Sequence, residues 1–358
     1  MAVFYVLMLV PLAMQHFTTK SQSIDYEKKN RQSLFIFFFL LAVIVGLRHQ
    51  NVGNDTRNYI YYFEQYSEKT WLELSKMSVE FGFAYFNKFV SIFTQVVNMF
   101  FLVTAFVTFA MIYITYKRLC TDSSLTIVLY VTMSTFVMAF SGIRQMLAIG
   151  LGFVAYELTR NKKLIPFILM VVLAITVHTS AFMLLFMYPI YHAKITKKWL
   201  YIVVPVITLI FVFNNQIFST LSMLLETFTE YNTSKTDTGA YAMLILFVIF
   251  AVFAFLIPDE AALDKETIGL RNFLLFSLVL QMFAPLHSLA MRMNYYYIIF
   301  IPLLIPKIIK ARSERWGQIA IFARHIMVVF FLVYFFYNAY VGDNNLHVFP
   351  YKFFWEAA

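Results

Sequence analysis

The stretch AFSGIRQMLAIGLGF, residues 139–153, places a single arginine, Arg144, between two apolar runs. The chain of 358 residues is 61% hydrophobic and 13% charged, whereas an average soluble domain has about 25% charged residues. No soluble core of this size can bury 42 Phe and 23 Tyr, so we expect an integral membrane protein. Arg144 is then a cation at or near the bilayer, where it costs free energy unless a partner offsets it.

Apolar runs recur along the whole chain, and they predict an all-α, polytopic membrane protein with about 12 transmembrane segments. A span needs about 20 apolar residues, or fewer where interfacial groups flank it. The runs lie near residues 2–17, 33–47, 98–116, 124–140, 144–158, 164–177, 179–191, 199–214, 239–257, 271–290, 294–309 and 318–340. Residues 1–358 are expected to form one integral membrane domain. Within it, residues 164–191 form either one tilted helix or a hairpin that turns at His178.

The distribution of lysine and arginine sets the orientation of these segments. With the N-terminus outside, the inner loops are strongly basic. The net charge of +9 therefore reflects the orientation of the segments in the membrane and does not indicate nucleic-acid binding. Two long outer loops follow from this orientation. Residues 48–97 carry aromatic side chains at helical spacing, which predicts amphipathic helices in the membrane interface. Residues 214–239 form either a lid over an outward-facing site or a passive surface loop.

Polar side chains that are rare in so apolar a chain gather on the outer side of this topology. Arg144 is either an anchor that snorkels to the headgroups or a functional cation, and the scarcity of cations in short outer turns favours the functional interpretation. His178 lies in an apolar run, where a lone histidine is as often a hydrogen-bonded core residue as a functional one. The outer set predicts a basic pocket formed by Arg48, Asp55, Arg57, Arg144, His178 and Arg292.

Arginine is the side chain that matches phosphate oxygens with two parallel hydrogen bonds and keeps its charge. Several arginines at the outer membrane edge therefore suit a lipid-linked phosphate or pyrophosphate. The sequence has no Walker loop, no dinucleotide glycine fingerprint and no HExxH or paired Cys/His metal spacing. We expect no cofactor and no metal site, so that the energy for any transfer resides in the lipid substrate. The single cysteine, Cys120, allows no disulfide within the chain.

Three segments resemble, in their order and spacing, the EpsG family of Wzy-type polysaccharide polymerases. They are GLRHQNVGNDTRNYIYYF (46–63), SGIRQMLAIGLGFVAYELTRNKKLIPFILMVVLAITVHTSAFMLLF (141–186) and RMNYYYIIFIPLL (292–304). Their most specific parts are R-x-x-x-V-G-x-D-x-x-x-Y, I-R-Q and H-x-S-A. The resemblance extends from about Leu47 to Pro302. The first motif commonly has Thr before its Asp, where this chain has Asn54; the carboxylate of Asp55 is retained.

The resemblance implies an enzyme that joins oligosaccharide repeat units carried on undecaprenyl pyrophosphate, at the outer face of the bacterial cytoplasmic membrane. It also implies an architecture similar to multi-span, GT-C-like glycosyltransferases. We expect His178 to act as the base, with Asp55 as its rival, and Arg144 to stabilise the leaving pyrophosphate. Pyrophosphate and sugar contacts are expected from Arg48, Arg57, Arg144, Arg292, Tyr59 and Tyr295. The implied partners are the lipid-linked glycan and the bilayer; a chain-length regulator is plausible for the family, although no motif indicates one.

Other functions stay open at this point. In a membrane O-acyltransferase, His178 would activate a sugar hydroxyl toward an acyl donor, which predicts modified sugars at unchanged chain length. A flippase for the same lipid-linked glycan would be expected to have paired repeats or broken helices in matching halves, and the sequence has no such halves. A purely structural membrane protein gives no account of the outer polar set.

Overall fold

The computed structural model of the chain describes residues 2–16, 24–76, 80–133, 135–225, 238–341 and 347–356. These residues form helices and no β-strand, and they confirm the predicted all-α class. The α-helices are α1 (Ala2–His16), α2 (Ile24–Gly46), α3 (Thr56–Glu68), α4 (Trp71–Ser75), α5 (Phe81–Ser91), α6 (Val97–Leu119), α7 (Ser123–Thr132), α8 (Thr135–Ser141), α9 (Ile143–Arg160), α10 (Leu164–Val177), α11 (Met187–His192), α12 (Leu200–Val212), α13 (Asn214–Leu225), α14 (Thr238–Leu256), α15 (Lys265–Gln281), α16 (Ser288–Ile298), α17 (Ile301–Lys310) and α18 (Gly317–Val341).

Several of these helices are long and apolar enough to cross a membrane. In the described ranges there are four, or up to seven if each of three bent helix pairs is one span. The four are Tyr26–Gly46, Val97–Leu119, Gly239–Leu256 and Glu314–Tyr337. The bend between α16 and α17 interrupts the apolar run 294–309. The chain is therefore a helical protein with the composition of a membrane protein.

The chain divides into two compact units. The first comprises Met1–Leu185 and Phe322–Ala358, and the second comprises Phe186–Ile321. In the first unit α6 packs against α2 and α9, and α9 packs against α10. Aromatic rings fill the space between α2, α6 and α7: the ring centroid of Phe38 lies 5.2 Å from that of Tyr116 and 5.4 Å from that of Tyr130. Burial of such rings is the main favourable contribution to the packing of these helices.

The segment that follows α2 is held by the C-terminal residues 347–356 of the same unit. The N–H of His49 donates to the carbonyl of Lys352 (2.9 Å), and the N–H of Gly53 donates to the carbonyl of His347 (2.9 Å). Gly53 has a φ of +89°, and a Cβ at this position would lie 2.3 Å from the carbonyl oxygen of Phe140. The glycine of the V-G-x-D motif is thus required by both its backbone conformation and a close approach to α8.

In the second unit α15 packs against α11, α14 and α16. Its buried Arg271 pairs with Glu260 (2.6 Å), donates to the carbonyl of Ile195 (2.9 Å), and lies over the ring of Phe255. The next residue, Asn272, donates to the carbonyl of Ala193 (2.7 Å). These contacts satisfy the charge of Arg271 internally, so we interpret it as a structural residue of this unit.

The two predicted outer loops and the run 164–191 have helical structure. The described residues of the range 48–97 include α3, α4 and α5, and the location of these helices in the membrane interface stays a prediction. Of residues 214–239, the first part forms α13, and residues 226–237 lie outside the described part of the chain. The run 164–191 is interrupted at His178, whose backbone is extended; a 3-10 helix, Thr179–Phe186, follows. It is therefore not one continuous helix.

Candidate active site

Helices α9 and α10 bring Arg144 and His178 to the same end of the first unit. Only residues 161–163 separate the two helices, and they pack against each other as an antiparallel pair. At a rise of about 1.5 Å per residue they are roughly 27 and 21 Å long, so the start of α9 lies within about one turn of the end of α10. Arg144 is in the first turn of α9, and His178 directly follows α10.

A carboxylate from a third element lies between these two side chains. Nη1 of Arg144 donates to Oε2 of Glu80, and Nδ1 of His178 lies 2.6 Å from Oε1 of Glu80. The backbone N–H of Thr179 also donates to Oε1 of Glu80 (3.1 Å). Both oxygens of one carboxylate are therefore used, one for the arginine and one for the histidine. Glu80 therefore offsets the positive charge of Arg144.

The position of Glu80 depends on a close contact between α5 and α10. Glu80 precedes α5, and its φ of +59° is in the left-handed region, which is unusual for a residue other than glycine. Two residues later, a Cβ at Gly82 would lie 2.2 Å from Oγ1 and 3.0 Å from the carbonyl carbon of Thr176 in α10. Gly82 thus lets the start of α5 approach the end of α10, which places Glu80 beside His178.

Tyrosines of α3 surround the guanidinium group of Arg144. Its Cζ lies 5.6 Å from the ring centroid of Tyr62 and 5.9 Å from that of Tyr59. Tyr62 in turn stacks on Tyr66, with centroids 5.7 Å apart and planes within 6°. Tyr59 is 3% exposed, whereas Tyr62 and Tyr66 are partly exposed. Nε of Arg144 is buried and has no hydrogen-bond partner in the described residues, so the guanidinium keeps an unused donor.

The electrostatics of the cluster favour an ionised Glu80. Burial raises the pKa of the Glu80 carboxyl, but the hydrogen bond to His178 and the charges of His178 and Arg144 outweigh it, so that the pKa is lowered overall. An ionised carboxylate only accepts hydrogen bonds, so Nδ1 of His178 must be the donor. In the neutral form of this imidazole, the lone pair is on Nε2. This is the arrangement in which a carboxylate orients a histidine base.

Arg48 occupies a separate, buried location. It is 1% exposed; Nε donates to Oγ1 of Thr56 (3.2 Å), and its Cζ lies 4.2 Å from the ring centroid of Phe101. It lines a cavity together with Thr104, Thr108 and Ile143. Its Nη2 atom has no hydrogen-bond partner within the described residues. These contacts join the end of α2 to the start of α3, and they leave Arg48 without the exposed face that a large substrate would need.

The other predicted site residues lie apart from the cluster or at its margin. Asp55 precedes α3 and is partly exposed, and its side chain makes no capping hydrogen bond to the helix. Arg57 is exposed and donates to Oδ1 of Asn51 (2.7 Å). Arg292 is exposed and Tyr295 is buried; both are in α16 of the second unit. The first unit therefore brings together Arg144, His178 and Tyr59 of the residues chosen from the sequence.

Glu80 was missed by the sequence analysis. Two signals were present: Glu80 directly precedes the apolar run FGFAYF, and Gly82 follows two positions later. Neither signal identifies its partners, because Arg144 and His178 are 64 and 98 positions away in sequence. The contact depends on the packing of α5 against α10, which periodicity does not reveal.

Together, the helical fold with four to seven candidate spans and the Arg–Glu–His cluster define a membrane protein with a built ionisable site. The family model of the EpsG family matches residues 32–353. The chain belongs to the EpsG family, the family of Wzy-type polysaccharide polymerases, and the resemblance stated from the three motifs is confirmed. No curated protein and no solved structure matches the chain significantly.

Proposed function

We propose that this protein is a glycosyltransferase that joins undecaprenyl-pyrophosphate-linked oligosaccharide repeat units into a polysaccharide. The reaction takes place at the outer face of the bacterial cytoplasmic membrane, in a chain of about twelve segments with a GT-C-like architecture. The observation that carries the proposal is the cluster of Arg144, Glu80 and His178. Membership of the EpsG family supports a polymerising glycosyltransferase in general. The partners are the lipid-linked glycan and the bilayer, with a chain-length regulator as a further candidate.

Arg144 binds the pyrophosphate of the donor in this proposal. As the bond between the anomeric carbon and the phosphate oxygen breaks, negative charge grows on the leaving undecaprenyl pyrophosphate. A fixed guanidinium stabilises that charge more in the transition state than in the ground state, which lowers the barrier. The partly exposed side chain of Arg144 supports this role, because the guanidinium group offers a fork of donors that suits phosphate oxygens.

His178 takes the proton of the acceptor. A hydroxyl of the acceptor repeat unit attacks the anomeric carbon, the new C–O bond forms, the bond to the pyrophosphate breaks, and the hydroxyl proton passes to Nε2 of His178. Glu80 holds the proton on Nδ1, so that Nε2 is the basic atom. Asp55 remains the rival base; its carboxylate lies at the start of α3, and no hydrogen bond to His178 holds it in place.

The same pair of Glu80 and His178 also suits a membrane O-acyltransferase, in which Nε2 would deprotonate a sugar hydroxyl toward an acyl donor. That reaction releases no pyrophosphate and gives Arg144 no leaving group to stabilise. We therefore favour the polymerase. The two functions differ in product: a ladder of longer glycans for the polymerase, and a mass shift at constant length for the acyltransferase.

The test is a reconstituted assay with purified protein and lipid-linked repeat units. We expect the wild-type protein to produce a ladder, and Arg144→Ala and His178→Ala to lose it, with Glu157→Gln at the opposite end of α9 as the matched control. Loss of one general base typically costs about 10²–10⁴ in rate. Full-length polymer from both site variants would overturn the assignment.

The side of the membrane is tested by labelling. In a Cys120→Ser background, Thr179→Cys places a thiol on an exposed residue beside Glu80. We expect a membrane-impermeant maleimide added outside intact cells to label this thiol. Labelling only after the membrane is opened would place the cluster in the cytosol and exclude an outward-facing site.

A further inference from the structure

Glu80 divides its carboxylate between two groups that have different roles in the proposed reaction. Oε2 accepts from Nη1 of Arg144, which would bind the donor's pyrophosphate. Oε1 accepts from Nδ1 of His178, and from the N–H of Thr179 at 3.1 Å. A single negative charge is therefore shared between an arginine that must hold an anion and a histidine that must accept a proton. The carboxylate of Glu80 thus contacts Arg144 where the pyrophosphate of the proposed donor would bind.

The backbone at Glu80 indicates that this arrangement is held by its contacts. A φ of +59° is costly for a residue with a Cβ and persists where the surrounding structure imposes it. The contact of Gly82 with Thr176 provides that constraint on the His178 side. On the Arg144 side no comparable backbone contact to Glu80 is present in the described residues, and Arg144 is a long side chain that can reorient about its own torsions.

We propose that Glu80 is an internal competitor for the donor's pyrophosphate at Arg144, and that donor binding makes His178 a stronger base by transferring the whole carboxylate charge to it. This inference rests on the proposed function. In this proposal Glu80 is a positioning residue that couples donor binding to proton transfer. Arg144 exchanges Glu80 for the pyrophosphate, and Glu80 stays hydrogen-bonded to His178 and Thr179.

The direction of the exchange follows from charge. A pyrophosphate carries more than one negative charge and offers several oxygens, so it can displace a single carboxylate from an arginine. Once Arg144 is neutralised by the pyrophosphate, Glu80 has His178 as its remaining titratable partner. An opposite charge in contact favours the protonated form of an imidazole, so Nε2 gains proton affinity at the step in which the acceptor hydroxyl must lose its proton.

Other ionisable groups near the cluster do not change this reasoning. The groups that face it from α3 are Tyr59, Tyr62 and Tyr66, with Asp55 close to Tyr59, and burial raises the pKa of Tyr59 and of Tyr66. In the described part of the chain, no further cation pairs with Glu80. The charge balance is therefore set by the arginine, the glutamate and the histidine.

Glu80→Gln separates this role from a merely structural one. The amide keeps a similar shape but no longer competes for Arg144, so we expect tighter binding of a prenyl pyrophosphate together with slower chain elongation. The probe is geranylgeranyl diphosphate, titrated into the purified protein in detergent, with geranylgeraniol as the uncharged control. We expect the affinity for geranylgeranyl diphosphate to increase by about five- to tenfold. An effect of this size lies within the usual range of coupling between two interacting sites. Elongation should slow by about 10²-fold, because His178 loses its carboxylate.

Glu157→Gln is the matched control, because Glu157 pairs with an arginine at the other end of the same helix. We expect it to change neither binding nor elongation. Should Glu80→Gln prove unstable, Glu80→Asp provides the second variant: it keeps the charge on a shorter side chain, and it should bind the probe no more tightly than wild type and elongate faster than Glu80→Gln.

The outcomes separate this inference from the proposed function. Weaker or unchanged binding of geranylgeranyl diphosphate by Glu80→Gln, or tighter binding by Glu80→Asp, overturns the competition even if wild-type protein makes polymer. If Glu80→Gln binds the probe more tightly but the wild-type protein makes no polymer from lipid-linked repeats, the competition is supported and the polymerase is rejected.

Discussion

The two ends of α9 carry the same pair of residue types in different surroundings. At its start, Arg144 pairs with Glu80, which also contacts His178. At its end, Glu157 pairs with Arg118 (2.8 Å) and with Arg160 (3.5 Å), and it accepts from Oγ1 of Thr115 (3.2 Å). Both pairs are partly exposed. The carboxylate at the last turn pairs only with arginines, whereas the carboxylate at the first turn also contacts the imidazole of a histidine.

This difference shows why an ion pair alone does not define a functional site. Basic residues at the end of α9 also follow the expected inner-loop bias, and their carboxylate partner gives them a structural explanation. At the start of α9, the cation lies in a turn where the bias predicts few cations, and its carboxylate orients a histidine. The proposed catalytic site rests on this combination of an arginine, a shared carboxylate and a histidine.

The largest effect is expected when lysine replaces the arginine at the start of α9, compared with the same replacement in the pair at its end. Arg144→Lys keeps the charge but loses the fork of donors for phosphate oxygens, so we expect elongation to slow by about 10²–10³-fold. Arg118→Lys should slow it by less than about twofold, since an exposed ion pair contributes little. The measurement is the initial rate of ladder formation. If the two variants lowered the rate of elongation equally, the two ends of α9 would not differ in function.

The second prediction concerns the contact that places Glu80. In Gly82→Val, the added Cβ would lie only 2.2 Å from Oγ1 of Thr176, and the rest of the side chain needs further space. Helix α5 must therefore move away from α10. We expect elongation to slow by about 10–100-fold because Glu80 no longer reaches His178. Gly152→Ala is the control: its Cβ would meet the end of the flexible Leu184 side chain at 3.1 Å. Retained activity in Gly82→Val would show that this contact does not position Glu80.

The third prediction is a dependence of stability on pH. Because the pKa of Glu80 is lowered in the folded protein, its stabilising contribution is complete above the ordinary carboxyl pKa of 4.5 and is lost as the pH falls through the lowered value. We expect the melting temperature of wild type to exceed that of Glu80→Gln by a few degrees at neutral pH. The difference should shrink as the pH falls below the ordinary carboxyl pKa of 4.5, and it should disappear once the pH is below the lowered pKa of Glu80. A difference that is independent of pH would mean that the charge of Glu80 does not stabilise the fold.

The smallest effect is expected at the end of α9. Glu157→Gln should lower the free energy of unfolding by about 0–1 kcal/mol, because its ion pairs are partly exposed and screened by salt. This loss of stability should be smaller still at a high salt concentration. Denaturation at two salt concentrations checks this. A loss comparable to that of Glu80→Gln, with impaired elongation, would indicate a second functional cluster.

Arg144 and His178 could be predicted from the sequence because topology alone brings them together. Two helices of similar length joined by three residues place the start of one beside the end of the other. The burial of Arg48 could not be predicted in this way. Its guanidinium is fixed by contacts with Thr56 and Phe101, and the adjoining segment is held by residues almost 300 positions later in the chain.

The apolar runs of the sequence predict where helices form, but they do not reveal where a helix is interrupted. Hydropathy does not distinguish a continuous helix from one interrupted at His178, because the residues on both sides are equally apolar. The interruption is nonetheless what lets Thr179 offer its backbone N–H to Glu80. Such a break is decided by tertiary contacts, which override the local preference of the sequence.

A double-mutant comparison tests most directly whether Arg144 and His178 belong to one catalytic site. The rate of elongation is measured for Arg144→Ala, His178→Ala and the double variant, with purified protein and lipid-linked repeat units. If the two residues act as one unit, the double variant should be about as slow as the slower single variant. A double variant whose loss is the product of the two single losses would contradict a shared site.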